Sequence, residues 1–170
     1  MAKRRKAATA AEVRALAHPL RLRIIRALYG GARSNQELAV ALHEDPATVL
    51  YHVRTLVKTG FLAPAGTRPG ARGRTEKLYR STGKSWRINI DAGLPAADAV
   101  SRASLDAFWA EVQDAGANAD LSTSRLALVL GSERRNELMQ RIRELLDEFA
   151  LRDDPDGEPL ALFVALHRRA

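Results

Sequence analysis

Hydrogen-bonding and cationic side chains recur at helical spacing within the segment 46–58. If this segment is a helix whose apolar residues Val49, Val53 and Leu56 face a core, its outer face carries polar groups. Those groups are Thr48, Tyr51, His52, Arg54, Thr55 and Lys58. Arginine can bond a guanine edge bidentately or hold a phosphate, and lysine holds a phosphate as a point charge. Binding of an anionic polymer is therefore the chemistry that these residue types could do.

A basic loop follows that segment, between two short runs whose composition predicts strands. The strands are predicted over Phe61–Thr67 and Lys77–Thr82, and the intervening residues 68–74 are rich in glycine and arginine. A flexible, cationic hairpin tip suits the phosphate backbone of a duplex, or a minor groove in which arginine is favoured. The side chains expected to make these contacts are Arg68, Arg72, Arg74 and Lys77.

Charge is distributed unevenly along the 170 residues, whose formal net charge is +7. Residues 1–90 contain 18 Lys and Arg against 5 Asp and Glu, whereas residues 91–170 contain 9 against 15. A basic half of this kind suits a polyanion, and the acidic half is expected to contact something else. The basic N-terminal arm, residues 1–8, either adds phosphate contacts or is only a solubilising tail.

Several function classes lack their usual signals in this sequence. The absence of cysteine excludes disulfides, thiolate metal sites and cysteine nucleophiles. We find no phosphate-binding or dinucleotide-binding glycine pattern, no HExxH and no GxSxG, so we expect neither an enzyme nor a cofactor. The four histidines are scattered, with none paired at i, i+4, so we expect no metal site. The apolar runs are too short to span a bilayer, and we expect a cytoplasmic protein without membrane contact.

Capping residues place the helices that must carry the polar side chains. Thr9-Ala10-Ala11-Glu12 and Ser34-Asn35-Gln36-Glu37 each match a capping box, which begins a helix. Pro19 suits the first turn of another helix between them. Asp45-Pro46 combines an N-cap with a first-turn proline, and Gly60 ends the helix that starts there. Two short helices joined by a tight turn, the second presenting polar groups, are typical of a helix-turn-helix.

The basic hairpin directly after this motif indicates a wing. Thr48 and Tyr51 lie toward the N-terminal half of the second helix, from which base edges are usually reached. We expect Arg54 to bond guanine or phosphate, and Lys58 to meet phosphate. The start of the preceding helix is also expected to contact DNA, through Ser34, Asn35 and Gln36. A merely solvated helix face is the alternative interpretation of the polar groups.

Residues from about Leu16 to Trp86 resemble the arsenic-repressor (ArsR) family of bacterial winged-helix regulators. The matching stretches are LAHPLRLRII (16–25), NQELA (35–39), TVLYHVRTL (48–56) and GFL (60–62). The resemblance implies a homodimer that binds an inverted repeat near its own promoter and leaves DNA when an effector arrives. It also implies that the helix beginning near Pro46 is the recognition helix. The family often has serine where Leu50 stands, so Leu50 is expected to touch a thymine methyl group or the turn instead.

The half after residue 90 carries fewer diagnostic residues. A helix is predicted from about residue 96 to residue 115, with an apolar stripe along one face. We expect this stripe to form a dimer interface through Val100, Phe108 and Val112, and packing within the same chain is the alternative. Further on, two apolar runs, Arg125–Leu130 and Leu160–Leu166, are predicted as strands that pair on either side of an amphipathic helix, and a helix is the alternative for the first run.

These observations predict an α+β, mostly helical protein in three parts. Residues 1–8 form the basic arm, residues 9–90 the winged helix-turn-helix, and residues 91–170 a dimerisation helix followed by a small α/β unit. The predicted function is a sequence-specific DNA-binding regulator, a homodimeric repressor with double-stranded DNA and a small-molecule effector as partners. The alternative is a winged helix that contacts another protein, or that binds nucleic acid nonspecifically, without sensing an effector.

Overall fold

A computed structural model describes residues 5–70, 73–152, 154, 156–158 and 160–168. At residues 117 and 118 it describes the backbone alone. Seven α-helices and five short strands are assigned within these residues. The helices are α1 (Ala10–Leu16), α2 (Pro19–Ala27), α3 (Asn35–Leu42), α4 (Pro46–Lys58), α5 (Lys84–Arg87), α6 (Ala97–Ala115) and α7 (Ser132–Ala150). The strands are β1 (Lys6–Ala7), β2 (Arg33–Ser34), β3 (Leu62–Pro69), β4 (Thr75–Ser81) and β5 (Ile88–Asn89). The chain divides into a unit spanning Arg5–Ala119 and a second one from Asp120 onward.

Both predicted capping boxes are present. The backbone N–H of Thr9 donates to the Glu12 carboxylate at 2.7 Å, and the N–H of Glu12 donates to the Thr9 hydroxyl at 3.3 Å. Ser34 and Glu37 repeat this exchange at the same two distances. Because each box satisfies two backbone donors that a helix start leaves unpaired, α1 and α3 begin where the sequence predicts.

A left-handed residue closes the turn between α3 and α4. His43 has φ of 55°, its N–H donates to Val40 O at 3.3 Å, and the N–H of Glu44 donates to Ala39 O at 3.0 Å. This pair of bonds is a Schellman motif, which ends α3 abruptly. The carboxylate of Asp45 then accepts from the first turn of α4, and Pro46 is the first residue of that helix, as predicted.

The hairpin after α4 belongs to a three-stranded antiparallel sheet in the order β2-β4-β3. Leu62 pairs with Ser81 at the base of the hairpin and Pro69 with Thr75 near its tip. The register shifts between Pro64 and Thr67, where β3 carries one extra residue. Gly66 lies in this bulge with φ of +100°, a conformation that a side chain disfavours.

A single apolar cluster joins α1 to α4 with the base of the hairpin. Its fully buried members, in chain order, include Val13, Ile24, Leu38, Val49, Val53, Leu56, Phe61 and Leu62. The residues predicted to face inward on α4 are all among them. Burial of each large aliphatic side chain contributes about 1.5–3 kcal/mol, so this cluster holds the two helices of the motif at a set angle.

The first unit extends beyond the boundary predicted at residue 90, because α6 packs on α1 and α2. Val100 is buried in the common core, and Ala103 and Ala107 are buried on the same face. The N-terminal arm is also attached: β1 pairs in parallel with β5, and Ala8 is buried. Residues 1–4 of the predicted arm lie outside the described residues.

In the described part of the second unit, α7 is the one helix, and no residue is buried. The segments predicted as paired strands, Arg125–Leu130 and Leu160–Leu166, form no β-ladder there. Their apolar composition satisfies only one requirement of a strand, since a partner strand must also complete the backbone hydrogen bonds. The mixed α/β class is confirmed by the first unit. None of the described helices is long and apolar enough to cross a bilayer.

Candidate nucleic-acid interface

The outer face of α4 presents four of the six polar residues that the sequence predicts there, whereas Thr55 is half-buried and His52 is buried. Thr48, Tyr51, Arg54 and Lys58 are exposed, and Tyr51 retains 64 % of its accessible surface. Because the opposite face is locked into the core, these four side chains project from a rigid backbone. That is the arrangement a reader of base edges requires.

The predicted place of His52 on the outer face is wrong. Only 6 % of the residue is exposed, and its ring lies 4.3 Å, centroid to centroid, from the ring of His18. Arg21 donates from Nε to His52 Nδ1 at 3.1 Å, so this nitrogen is an acceptor and carries no proton. Burial, with His18 and Arg21 adding like charge, lowers the pKa of His52 to about 4. A neutral, enclosed imidazole at this position supports α4 from behind.

The guanidinium of Arg21 connects three helices. Besides the bond to His52 on α4, its Nη1 donates to the backbone oxygens of Arg14 and Ala15 at 3.0 Å each. These are unpaired carbonyls at the end of α1, where a cation is favoured. Sequence reasoning missed Arg21, since an arginine beside a helical apolar stripe resembles any surface arginine.

Leu50 and Thr55 occupy intermediate positions on α4. Leu50 is half-buried, and Thr55 is half-buried with its hydroxyl donating to Tyr51 O at 3.1 Å. The bond of Thr55 is internal to the helix, as is common for hydroxyls in helices. Neither side chain is as exposed to solvent as those of Tyr51 and Arg54.

The three residues at the start of α3 that are predicted to contact DNA differ in exposure. Ser34 is 2 % exposed and its hydroxyl caps the helix, so its side chain is enclosed and not on the surface, where the prediction places it. Asn35 donates from Nδ2 to Pro46 O at 2.8 Å and thereby ties the start of α3 to the first turn of α4. Gln36 alone is exposed.

The wing carries fewer available cations than its composition suggests. Arg68 forms ion pairs through Nη2 with Glu37 Oε1 at 2.7 Å and Glu76 Oε2 at 3.0 Å. These bonds raise the pKa of Arg68, and the Ser34 backbone N–H and Arg68 lower the pKa of Glu37. Arg74 and Lys77 are exposed, and neither forms an ion pair with the described residues. Arg72 lies outside the described residues.

The predicted dimerisation residues on α6 point in different directions. Val100 is buried in the chain's own core, so the prediction that it lies at an interface is wrong, and Phe108 and Val112 are half-buried. The apolar side chains that α6 does expose are Leu105 and Trp109, the latter at 58 %. Helical periodicity located the stripe but could not tell which part of it neighbouring helices cover.

Two ion pairs fasten the end of α6 to α2. Arg26 Nε lies 3.1 Å from Glu111, and Arg23 Nη2 lies 2.5 Å from Asp114. Burial raises the pKa of Glu111, an effect that the two arginines oppose. Arg23 also donates to Leu42 O at 3.2 Å, so α6 is linked through it to the last turn of α3.

Comparisons with known proteins agree with this local geometry. Residues 16–64 match a family model described as a helix-turn-helix domain, which covers α2 to the start of β3. No curated protein matches the chain. Among solved structures, the adhesin competence repressor AdcR from Streptococcus pyogenes is 18% identical, with 77% of this chain and 80% of that chain covered at a TM-score of 0.34. The matched segment and the hairpin after it show that this chain contains a winged helix-turn-helix domain.

Proposed function

We propose that the protein is a sequence-specific DNA-binding transcriptional regulator, a cytoplasmic homodimeric repressor of the ArsR-like type that an effector releases from DNA. One observation carries the proposal: the second helix of the motif exposes Thr48, Tyr51 and Arg54 from a rigid backbone, directly before an exposed cationic hairpin. A helix of this kind enters a major groove while the wing follows the phosphate backbone.

The division of labour between helix and wing follows from residue type. Arg54 can bond guanine bidentately, and Thr48 and Tyr51 can bond base edges or phosphate. Arg74 and Lys77 supply affinity that depends on salt and not on sequence, because phosphates are the same along the duplex. Arg54→Ala is therefore expected to change which sequence is preferred, whereas Arg74→Ala weakens all sequences alike.

Dimer formation is the second part of the proposal. Two recognition helices on a two-fold axis would read an inverted repeat. Leu105 and Trp109 support it, since a large aromatic and a leucine one turn apart on α6 are exposed in the single chain. Release by an effector is supported by the ArsR resemblance.

The proposal is tested by fluorescence anisotropy with DNA from upstream of the protein's own gene, at several salt concentrations and with unrelated DNA as competitor. We expect specific binding that weakens steeply with salt, and a changed sequence preference for Arg54→Ala. Arg135→Ala, which removes an exposed arginine from α7, is the matched control and should leave the preference unchanged. Equal binding to both DNAs would favour a nonspecific module, and no binding at low salt would favour a protein-contacting winged helix.

A further inference from the structure

The outer half of the wing is the part of the β3–β4 hairpin that lies beyond the bulge at Gly66. Beyond the bulge at Gly66, the hairpin continues through three opposed pairs, from Thr67 and Lys77 to Pro69 and Thr75. A bulge interrupts the ladder and allows the strands to bend locally. The direction of the tip therefore depends on contacts outside the hairpin.

Arg68 supplies such a contact, and it lies on the outer side of the bulge. Its guanidinium donates to two carboxylates at once: that of Glu76, directly opposite on β4, and that of Glu37 on α3. The first pair joins the two strands of the hairpin, and the second joins the hairpin to the helix-turn-helix. We refer to Arg68, Glu37 and Glu76 as the wing clamp.

Glu37 has a second role, in the capping box of α3, and this role fixes the orientation of its carboxylate. Its Oε2 accepts from the backbone N–H of Ser34 at 2.7 Å, while its Oε1 lies 2.7 Å from Arg68 Nη2. The carboxylate is therefore already held by the capping box before it meets the arginine. A preoriented partner costs less side-chain entropy than two free chains would, so this ion pair is stronger than an isolated surface pair.

We propose that Arg68 is a positioning residue, which the clamp holds against α3 so that the wing and α4 meet one duplex together. This inference rests on the proposed DNA binding. An arginine shared by two carboxylates is a poor partner for phosphate, because both neutralise it. Of the wing cations described, Arg74 and Lys77 touch the duplex backbone, and Arg68 determines where they lie.

Glu37→Gln separates positioning from simple electrostatics. Glutamine at this place preserves the capping box but loses the charge that binds Arg68. Removal of a negative charge near DNA should by itself tighten binding, whereas loss of the clamp should weaken it. We expect an affinity about three- to five-fold lower, the range for loss of a good surface ion pair. Glu44→Gln is the matched control, since Glu44 lies in the turn of the same motif and pairs with Arg23 rather than with a wing residue, so its loss should not weaken binding.

The salt dependence of binding distinguishes Arg68 from Arg74. Each phosphate contact contributes about 0.9 to the slope of log affinity against log salt. Arg74→Gln should reduce the slope by about that amount, whereas Arg68→Gln should lower affinity with the slope unchanged. The double variant Glu37→Gln, Arg68→Gln should bind no more weakly than either single variant, since both remove one contact. A reduced slope for Arg68→Gln, or additive losses in the double variant, would overturn the proposal.

Hydrogen exchange in the free protein tests the clamp independently of DNA. Backbone amides of residues 67, 68 and 75–77 should exchange about three- to five-fold faster in Glu37→Gln than in the parent protein, while amides of α4 are unchanged. Unchanged exchange at the wing would refute the clamp even if DNA binding is established. Faster exchange together with no DNA binding in the parent protein would retain the clamp and refute the proposed function instead.

Discussion

Stability of the first unit should fall as the pH is lowered through the range in which a free histidine titrates. His52 is buried behind α4 and must remain neutral to accept the hydrogen bond from Arg21. Its pKa is lowered to about 4 in the folded chain, against 6.5 for an unperturbed histidine. The unfolded chain therefore binds the proton more readily than the folded chain. Stability is complete above about pH 6.5, declines between about pH 6.5 and pH 4, and changes little further below that range through this residue.

The magnitude follows from the two pKa values. The difference between the pKa of His52 in the unfolded chain and in the folded chain corresponds to a loss of about 2 kcal/mol of unfolding free energy between about pH 7.5 and pH 5. Acidification over this range is therefore expected to lower the unfolding free energy of the first unit by about 1–2 kcal/mol through His52. His18, whose pKa is also lowered by burial and by Arg21, adds to the decline in the same direction.

Urea unfolding followed by circular dichroism at the two pH values measures this effect. His52→Asn retains a side-chain acceptor for Arg21 but cannot be protonated, so its stability should depend less on pH than that of the parent protein. His43→Asn is the matched control, because it removes an exposed imidazole while asparagine tolerates the left-handed backbone there. If the parent protein and His52→Asn lose the same stability on acidification, the reasoning about His52 is wrong.

Two further predictions concern the ends of the motif's helices. His43→Gly relieves a left-handed residue in the Schellman motif and should raise the unfolding free energy by about 0.5–1 kcal/mol; a lower melting temperature for this variant would contradict the assignment. Asp45→Ala removes the side chain that caps α4 and should lower the unfolding free energy by about 1 kcal/mol. Asp45→Asn, which preserves a capping oxygen, should lose much less, and equal losses would show that the cap does not stabilise the helix.

The sequence by itself determined the local architecture of the first unit. Capping boxes, prolines in first turns and apolar spacing are short-range signals, and they predicted α1 to α4 and the wing because each acts within a few residues. The exposed positions of Tyr51 and Arg54 followed from the placement of Val49 and Val53 on the opposite, core-facing side of the same helix.

The tertiary structure alone decided which polar side chains are available to a ligand. His52 and Ser34 have the residue types of DNA contacts, yet one is enclosed by His18 and Arg21 and the other by its own helix cap. Arg68 is paired with a carboxylate 31 positions earlier in the chain, which no local pattern reveals. The same limit applies to Val100, since periodicity identifies an apolar face but not the helix that covers it. Long-range contacts depend on how the elements pack, and a single sequence encodes that packing only through all of its side chains together.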